Sequence, residues 1–491
     1  MKRSVLYNGD CYKKLKKIKT CSVDSIVTDP PYGLSFMNKA WDYDVPSVKK
    51  FKQMLRVAKP GAYMLAFAGS RTFHRMACNI EDAGWELRDC IMWSYSSGMP
   101  KGLNISKAID KKAGATRKVI GKKKGRTLLS GIVTAGRETE ETEIDLTEPA
   151  TEEAKRWDGW NTCLKPSFEP ILVAIKPLDG SYVQNILKWG VGGLNIKDTK
   201  IGKQKRYNAL AKNSSSMLVT RNKKNEKGEK IEGETVEGRW PSNIILSHHT
   251  KCKFLGMKKI KSSSVSKNKI ESTDNKKKKD KYKGYGFSHE KKKQFGYYDE
   301  DGMEEVENWK CVDECPCKII NNQYKELLRN DLKKIKGKFS SFFDIEELPN
   351  NISPDDANVS RFFYCPKPAV SEKHKGMDLT YEEVIKLLKP KPELKKKIKK
   401  MFKKWDNENI HPTIKPTNLM KYLIKLVTPK NGMVLDPFMG SATTGVSAIE
   451  DGFRFTGIER EFKYYIISKI RTKLAYKEFK KNKKKIKSLF K

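Results

Sequence analysis

Two loop motifs, about 400 residues apart, constrain this chain more than any other feature of its 491 residues. Asp29-Pro30-Pro31-Tyr32 follows an apolar run at 25–28, and a Gly-containing turn at 436–445 follows a second apolar run. An Asp-Pro-Pro-Tyr turn after a strand can hold a planar amine and stack its ring. A Gly-rich turn after a strand can hold a nucleotide-like cofactor. The order of the two motifs, with the amine site first and the cofactor site last, limits the topologies that the fold can have.

The segments around both motifs alternate between strand and helix patterns. Before residue 180 the sequence predicts strands at 3–8, 23–28, 62–68, 85–93 and 170–175, and helices at 11–19, 48–58 and 72–83. After residue 405 it predicts strands at 433–435 and 453–458, and helices at 417–427, 443–451 and 463–471. This alternation favours one largely parallel α/β sheet whose first strands are encoded last, with a large insertion between the two halves.

These residues and their order resemble the circularly permuted DNA amino-methyltransferases of the DPPY type, a family of phage and viral site-specific enzymes with the amine motif first. The resemblance covers both ends of the chain well and the middle in patches. It implies a permuted, Rossmann-like S-adenosylmethionine-dependent methyltransferase sheet, built from 1–180 with the amine site and 406–472 with the cofactor site. An inserted target-recognition region would occupy 181–405, with a Lys-rich loop at about 258–295, and a basic tail would follow at 473–491.

The first motif predicts the catalytic residues, which are Asp29, Pro30, Pro31 and Tyr32. An aromatic amine is a poor nucleophile because its lone pair is delocalised into the ring. The Asp29 carboxylate and the Pro30 carbonyl can accept hydrogen bonds from its two N–H groups and so favour a more tetrahedral nitrogen. Tyr32 offers a ring face on which the base can stack. The segment 93–100 resembles the family's base-pocket wall, and its Trp93 is equally consistent with a core position.

The second loop predicts a cofactor site, because small residues such as Gly440 and Ser441 let backbone N–H groups approach a ligand closely. Glu459 ends the next strand about 20 residues later, where an acidic side chain can accept both ribose hydroxyls. A surface charge is the alternative for this glutamate. The family resemblance implies further cofactor contacts, which are Asp10, Thr413, Lys415, Asp436, Pro437 and Phe438.

Histidine and cysteine pairs in the middle of the chain predict a structural zinc site. The ligands would be His249 and Cys252, followed about 60 residues later by Cys311 and Cys315. Four soft ligands of this kind suit tetrahedral Zn²⁺, and Cys317 is an alternative to Cys315. Reduced thiols without a metal are the other interpretation.

The charge of the chain favours a polyanionic partner. Lys and Arg number 100 against 59 Asp and Glu, a formal net charge of +41, which points to nucleic acid before membrane. An AT-rich genome that favours Lys codons is the alternative reason for this composition. No apolar run approaches the roughly 20 residues of a membrane span, and the N-terminus lacks a signal-peptide core. Scattered cysteines suit a reducing cytoplasm, or whichever host compartment holds the DNA of a virus.

Taken with the resemblance, these features predict a methyltransferase that acts on the exocyclic N6 amine of adenine in double-stranded DNA, with S-adenosylmethionine as cofactor. An N4-cytosine DNA methyltransferase is the first alternative. An RNA or protein amine methyltransferase and a non-catalytic DNA-binding protein are the others. The intact residues at 29–32, 436–440 and 459 argue against a non-catalytic scaffold.

Overall fold

The apolar run at 23–28 forms an entirely buried strand inside an eight-stranded sheet. The computed structural model describes residues 4–34, 42–95, 102–127, 140–208, 234–249, 251–261, 303–323, 360, 363, 379–403 and 414–489. The chain divides into two units. The first comprises Met1–Thr199, Asn243–Thr250 and Pro366–Lys491, and the second comprises Lys200–Ser242 and Lys251–Cys365.

The strands of the described residues are, in chain order, β1 (Ser4–Asn8), β2 (Val23–Thr28), β3 (Ala58–Phe67), β4 (Glu86–Ser94), β5 (Val119–Thr127), β6 (Glu140–Thr147), β7 (Phe168–Ile175), β8 (Ile201–Asn208), β9 (Glu234–Arg239), β10 (Ile244–Leu246), β11 (Lys253–Lys261), β12 (Met303–Lys310), β13 (Met433–Asp436) and β14 (Arg454–Glu459). The helices are α1 (Cys11–Leu15), α2 (Val48–Val57), α3 (Phe73–Glu81), α4 (Ile105–Lys112), α5 (Glu152–Arg156), α6 (Tyr182–Trp189), α7 (Ile196–Thr199), α8 (Tyr381–Leu388), α9 (Pro392–Phe402), α10 (Thr417–Val427), α11 (Thr443–Glu450) and α12 (Phe462–Leu489).

The central sheet has the order β1-β14-β13-β2-β3-β7-β4-β10. Its neighbours pair in parallel except β7, which runs antiparallel to both β3 and β4. The late strands β13 and β14 lie between the early strands β1 and β2, so the sheet is circularly permuted. This confirms the predicted Rossmann-like α/β class. The register pairs Leu435 with Ile26, so the loops after β2 and β13 leave the sheet at the same edge.

Strand β2 is buried along its whole length and β3 is buried from Gly61 onward, as expected for strands inside an α/β sheet. Helix α2 packs Phe51 and Met54 into the same core as Ile26 and Met64 of the sheet. Each such side chain is fully buried, which stabilises the fold by about 1.5–3 kcal/mol per residue. This core fixes the strand ends from which the loops of the site extend.

Two helices that the sequence analysis assigned to the inserted region belong to the first unit. Val384 of α8 and Ile398 of α9 share a buried cluster with Ile466 and Ile470 of α12. The Lys473 ammonium donates to the Leu387 carbonyl at 2.8 Å at the end of α8. Helix α12 continues to Leu489, so the segment predicted as a basic tail begins as part of this helix. The first unit therefore includes α8 and α9, which precede the predicted domain boundary at 405.

The remaining strands form antiparallel pairs. In the first unit β5 pairs with β6, and in the second unit β8 pairs with β9 and β11 pairs with β12. In the part of the chain that the structure describes, no helix combines the length and apolar character needed to cross a membrane.

Candidate active site

A cavity of about 350 Å³ opens in the first unit where β2 and β13 end. Twelve of the residues predicted for the amine and cofactor sites line it, namely Asp10, Asp29, Pro30, Pro31, Tyr32, Lys415, Asp436, Pro437, Phe438, Gly440, Ser441 and Glu459. Thr413 lies outside the described residues. The fold thus brings the two distant motifs into one cavity.

A buried carboxylate joins the two loops. Asp436 accepts hydrogen bonds from the Thr28 hydroxyl at 2.6 Å and the Thr444 hydroxyl at 2.7 Å, and from the Phe438 backbone N–H at 3.1 Å. Burial raises the pKa of Asp436 to about 6, although its hydrogen bonds act in the opposite direction. The end of β13 is therefore fastened to the end of β2 through one side chain.

The loop at 436–442, here called the cofactor loop because it was predicted to hold the cofactor, has a tightly wound backbone. Gly440 has a φ of +50° and Ala442 a φ of +62°, both in the left-handed region. The buried Arg471 of α12 supports the loop, because its guanidinium donates to the Ser441 carbonyl at 2.7 Å and to the Ser441 hydroxyl at 3.0 Å. The sequence analysis assigned Arg471 only to the end of a helix, so this support was missed.

Glu459 faces the same loop from the end of β14. Its carboxylate accepts the Gly440 N–H at 3.0 Å through Oε2 and the Glu461 N–H at 2.6 Å through Oε1. Each carboxylate oxygen has two lone pairs, so these bonds leave capacity for hydroxyl donors from the cavity. Burial raises the pKa of Glu459 to about 7, and the two backbone hydrogen bonds oppose that shift.

Asp10 has a structural contact as well as a place on the cavity wall. It is the N-cap of α1, and its Oδ1 accepts the Lys13 N–H at 3.1 Å. The Gly9 N–H donates to the Glu459 carbonyl at 2.8 Å, which holds this turn beside the end of β14. Asp10 and Glu459 therefore lie on neighbouring turns at the cofactor end of the cavity.

The loop at 29–34, here called the amine loop because it was predicted to hold the amine, is held by an aspartate that the sequence analysis did not single out. Asp42 accepts the backbone N–H groups of Tyr32 at 2.7 Å, Gly33 at 3.1 Å and Leu34 at 3.3 Å. The Thr72 hydroxyl donates to the Tyr32 carbonyl at 2.6 Å. With its backbone held from both sides, Tyr32 keeps its ring and hydroxyl fixed in the cavity wall.

Lys415 contacts the loop at 29–32. The resemblance assigned it to the cofactor, but its ammonium lies 2.8 Å from Asp29 Oδ2 and 3.1 Å from Glu169 Oε2. It also donates to the Tyr32 hydroxyl at 3.1 Å. Burial alone would lower the pKa of Lys415, but the Asp29 and Glu169 carboxylates raise it above its ordinary value. The lysine is therefore a permanent cation beside Asp29.

Three aromatic rings surround this cation. The Lys415 ammonium lies 5.0 Å from the ring centre of Phe67, 5.4 Å from that of Tyr32 and 6.0 Å from that of Trp93. Trp93 is buried and donates through Nε1 to the Ser247 hydroxyl at 2.8 Å. Trp93 is not among the described residues that line the cavity, whereas Tyr95, two residues later, lines it. Residues 96–100 of the predicted wall lie outside the described part of the chain.

Glu169 is the functional candidate that sequence reasoning missed. It stands at the beginning of β7, immediately before a run of six buried residues. A charged residue at the mouth of an otherwise apolar strand is a detectable signal, because charge is costly inside a sheet. Nothing in the sequence, however, showed that β7 lies beside β3 and directs this side chain towards Asp29.

The second unit contains a group of thiols. The Sγ atoms of Cys252, Cys311 and Cys315 lie within 4.8 Å of one another. A hydrogen bond with Cys315 and burial raise the pKa of the Cys311 thiol well above its ordinary value, and burial raises the pKa of Cys252. The predicted alternative ligand, Cys317, is buried and outside this group. The histidines, His248 and His249, belong to the first unit.

A family model described as DNA methylase, of the N6 and N4 methyltransferases, matches residues 23–469. Among curated relatives, the chain is 43% identical over 72 residues to the type II methyltransferase M2.LlaDCHI of Lactococcus lactis subsp. cremoris, which is 15% of this chain and 26% of that protein. It is 46% identical over 59 residues to the DNA adenine methyltransferase YhdJ of Escherichia coli K12, which is 12% of this chain and 20% of the relative. The chain thus spans about a quarter of the length of the curated relatives it matches.

Among solved structures, the complex of M1.HpyAVI with SAM is 14% identical, with a TM-score of 0.31 and coverage of 95% of this chain and 98% of that chain. The PvuII cytosine-N4-specific DNA methyltransferase is 11% identical, with a TM-score of 0.37 and coverage of 98% and 92%. At TM-scores this low, the fold follows from the strand order described above and not from these likenesses. Because the family model spans nearly the whole chain, the protein belongs to the DNA methylase family of N6 and N4 methyltransferases.

Proposed function

We propose that this protein transfers the methyl group of S-adenosylmethionine to the N6 amine of adenine in double-stranded DNA. The observation that carries the proposal is the single cavity in which Asp29 and the cofactor loop meet, fastened by the hydrogen bond from Thr28 to Asp436. A scaffold that only binds DNA has no need of this arrangement. Membership of the DNA methylase family supports the same reaction.

The residues of the cofactor end fit the proposed ligand. The left-handed turn at Gly440 leaves space for close approach of a ligand, and the Glu459 carboxylate can accept two ribose hydroxyls. Asp10 and Phe438 complete this end of the cavity. When bound, S-adenosylmethionine supplies an electrophilic methyl group, and no residue of the chain has to form a covalent bond.

The amine end orients the acceptor. Asp29 and the Pro30 carbonyl would accept hydrogen bonds from the two N–H groups of the target amine, and Tyr32 would stack on the ring of the target base. The Lys415 ammonium lies 2.8 Å from Asp29 Oδ2 and holds that side chain in place. The target base must leave the duplex, which costs a few kcal/mol. Positioning of the two reactants in one cavity then supplies much of the catalysis.

Adenine is proposed over cytosine on two grounds. The Asp form of the motif at position 29 resembles the adenine-specific members of the family, and the relative YhdJ is named as a DNA adenine methyltransferase. The runner-up is transfer to the N4 amine of cytosine, which would use the same residues in the same roles.

Double-stranded DNA is proposed as the partner from charge. Helix α9 exposes Lys395, Lys396, Lys397, Lys399 and Lys400, in a chain with a net charge of +41. Such lysines bind phosphate without regard to sequence, so affinity should fall steeply with salt. We assign target recognition to the second unit, and we place the protein in whichever compartment holds its DNA.

The test is transfer of a labelled methyl group to unmethylated duplex DNA, with the product nucleoside identified by mass spectrometry. Wild type and Asp29→Ala are compared, with Asp198→Ala, an exposed aspartate of α7, as the matched control. Methyladenine from wild type and control alone supports the proposal. Methylcytosine would keep the mechanism and replace the base, and no transfer to duplex DNA would reject the function.

We also propose a structural zinc ion held by the thiols of Cys252, Cys311 and Cys315 in the second unit. Their Sγ atoms lie within 4.8 Å of one another, and the thiols would lose their protons on binding a divalent cation.

A further inference from the structure

The cavity contains a second carboxylate whose position the mechanism above does not use. Glu169 Oε2 lies 2.8 Å from the Tyr32 hydroxyl, and the same hydroxyl lies 2.7 Å from Asp29 Oδ1. A phenol carries one proton, so Tyr32 can donate to only one carboxylate at a time. The hydroxyl therefore forms a bridge between two acceptors, one of them the catalytic aspartate.

The groups that face this bridge keep it in a defined state. Lys415 contacts both carboxylates and the phenol oxygen, and Tyr95 donates a hydrogen bond to Glu169. Burial, followed by the charges of Asp29 and Glu169, raises the pKa of Tyr32 well above its ordinary value. The phenol therefore keeps its proton. One cation and two carboxylates leave the cluster able to take up one further proton without gaining net positive charge.

We propose that Tyr32 relays the proton released by the methylated amine from Asp29 to Glu169. The amine nitrogen forms a bond to the methyl carbon, and the carbon–sulfur bond breaks with its electron pair moving to sulfur. The nitrogen then loses a proton to Asp29. That proton passes to the Tyr32 oxygen while the original phenol proton moves to Glu169, so Asp29 is ionised and Tyr32 neutral again.

The relay rests on the proposed function and explains features that stacking alone leaves without a purpose. A stacking ring needs no hydroxyl, yet this hydroxyl is placed between two carboxylates at hydrogen-bond distance. Glu169 also places a second negative charge near the nitrogen on which positive charge develops, which favours the transition state. Glu169 is therefore assigned as a proton acceptor that acts through Tyr32.

The test is single-turnover methyl transfer by the full chain to duplex DNA, with Glu169→Gln, Tyr32→Phe and the double variant. Glutamine keeps the size and an acceptor oxygen of Glu169 but cannot take up the proton. Each single variant should lose about 100-fold in rate, as expected for loss of one proton-transfer group. The double variant should be no slower than the worse single one, because both changes break one path. Glu86→Gln, at the exposed other end of the sheet, is the control.

A conservative variant separates the relay from a structural role. Glu169→Asp retains a carboxylate and should recover part of the rate, and calorimetry with S-adenosylmethionine should show unchanged affinity for all variants.

The outcomes distinguish this inference from the proposed function. A Glu169→Gln rate within threefold of wild type, or losses that multiply in the double variant, would overturn the relay while the methyltransferase assignment stands. A Glu169→Asp rate no higher than that of Glu169→Gln would also overturn it. Absence of transfer by wild type to any DNA would overturn both.

Discussion

The Thr28 hydroxyl donates to Asp436 Oδ1 at 2.6 Å, although 408 residues separate the two in the chain. Thr28 ends the strand that leads to the amine loop, and Asp436 ends the strand that leads to the cofactor loop. The contact sets the distance between the two loops directly, without a mobile segment between them. Methyl transfer needs its reactants aligned to within a fraction of an ångström, and this bond contributes to that alignment.

Thr28→Val should destabilise the fold in a pH-dependent manner. Loss of a hydrogen bond to a buried carboxylate costs about 1.5–3 kcal/mol. The pKa of Asp436 is raised to about 6, so its ionisation removes stability as pH rises through that value, and the variant should enlarge this loss above pH 6. Denaturant unfolding at pH 5 and pH 8 measures the effect. Thr456→Val is the control, because the hydroxyl of this buried threonine donates to the Met433 sulfur at 3.3 Å instead of to a carboxylate.

Equal unfolding midpoints for Thr28→Val and Thr456→Val at pH 8 would contradict the role of this bond. A loss of the same size at both pH values would show that packing, and not the charge on Asp436, is responsible.

Cofactor affinity should rise with pH through about 7. The pKa of Glu459 is raised to about 7 by burial, and the ionised form is the better acceptor for two hydroxyls. If only the ionised form binds well, affinity falls by up to about tenfold per pH unit below the pKa. Calorimetry with S-adenosylmethionine at pH 6, 7 and 8 tests this. Glu459→Gln should bind weakly with no pH dependence, and Glu450→Gln should behave like wild type.

A flat affinity for wild type across this range would mean that Glu459 does not bind the ribose in its ionised form. The prediction concerns binding alone, so it holds whichever base is methylated.

Lys415→Met should weaken both stability and chemistry. Removal of the cation leaves two partly buried carboxylates without their partner, which costs at most about 3–5 kcal/mol. The pKa of Lys415 is raised, so the wild-type stabilisation is complete below the ordinary value of 10.5 and is lost only as pH rises beyond it. Without the cation Asp29 loses the ammonium that holds its Oδ2 at 2.8 Å, so the rate of methyl transfer should also fall.

Lys425→Met is the matched control for this variant, since Lys425 makes a long, half-exposed contact of 3.8 Å with Asp451. Chemical unfolding and rates of methyl transfer are measured side by side. Similar midpoints for the two variants would show that the charge of Lys415 does not stabilise the site.

Purified protein should contain one zinc ion per chain. Elemental analysis of wild type, Cys311→Ser and Cys315→Ser should show loss of the metal in both variants, and Cys163→Ser, an exposed thiol, should keep it. Because bound thiols must lose their protons, zinc should be released more easily at low pH. Folded, metal-free wild type would end this proposal.

The sequence predicted those parts of the fold that depend on local pattern. The strand at 23–28 and the helix at 417–427 have the predicted bounds, because a continuous apolar run and a 3.6-residue periodicity leave few alternatives. The permuted order followed from the order of the motifs. The antiparallel direction of β7 did not follow, because its run at 170–175 is equally apolar in either direction.

The site residues that belong to a sequence motif were predicted, and the site residues that distant segments contribute were missed. The turn at 29–32 and the turn at 436–441 line the cavity as expected. Glu169 and Asp42 reach the amine loop only through the packing of strands and loops, which a single sequence does not reveal. Lys415 was predicted as a cofactor contact, and in the structure its ammonium lies against Asp29 and Glu169.

The pairing of β1 with β14 has a consequence for biosynthesis. Ser4 pairs with Phe455, so β1 is synthesised long before the strand with which it pairs. At ordinary translation rates this interval is on the order of half a minute, during which β1 presents an unpaired edge. The two halves of the cavity therefore cannot meet until β14 has been synthesised, and a chain that stops before β14 carries Asp29 without Glu459.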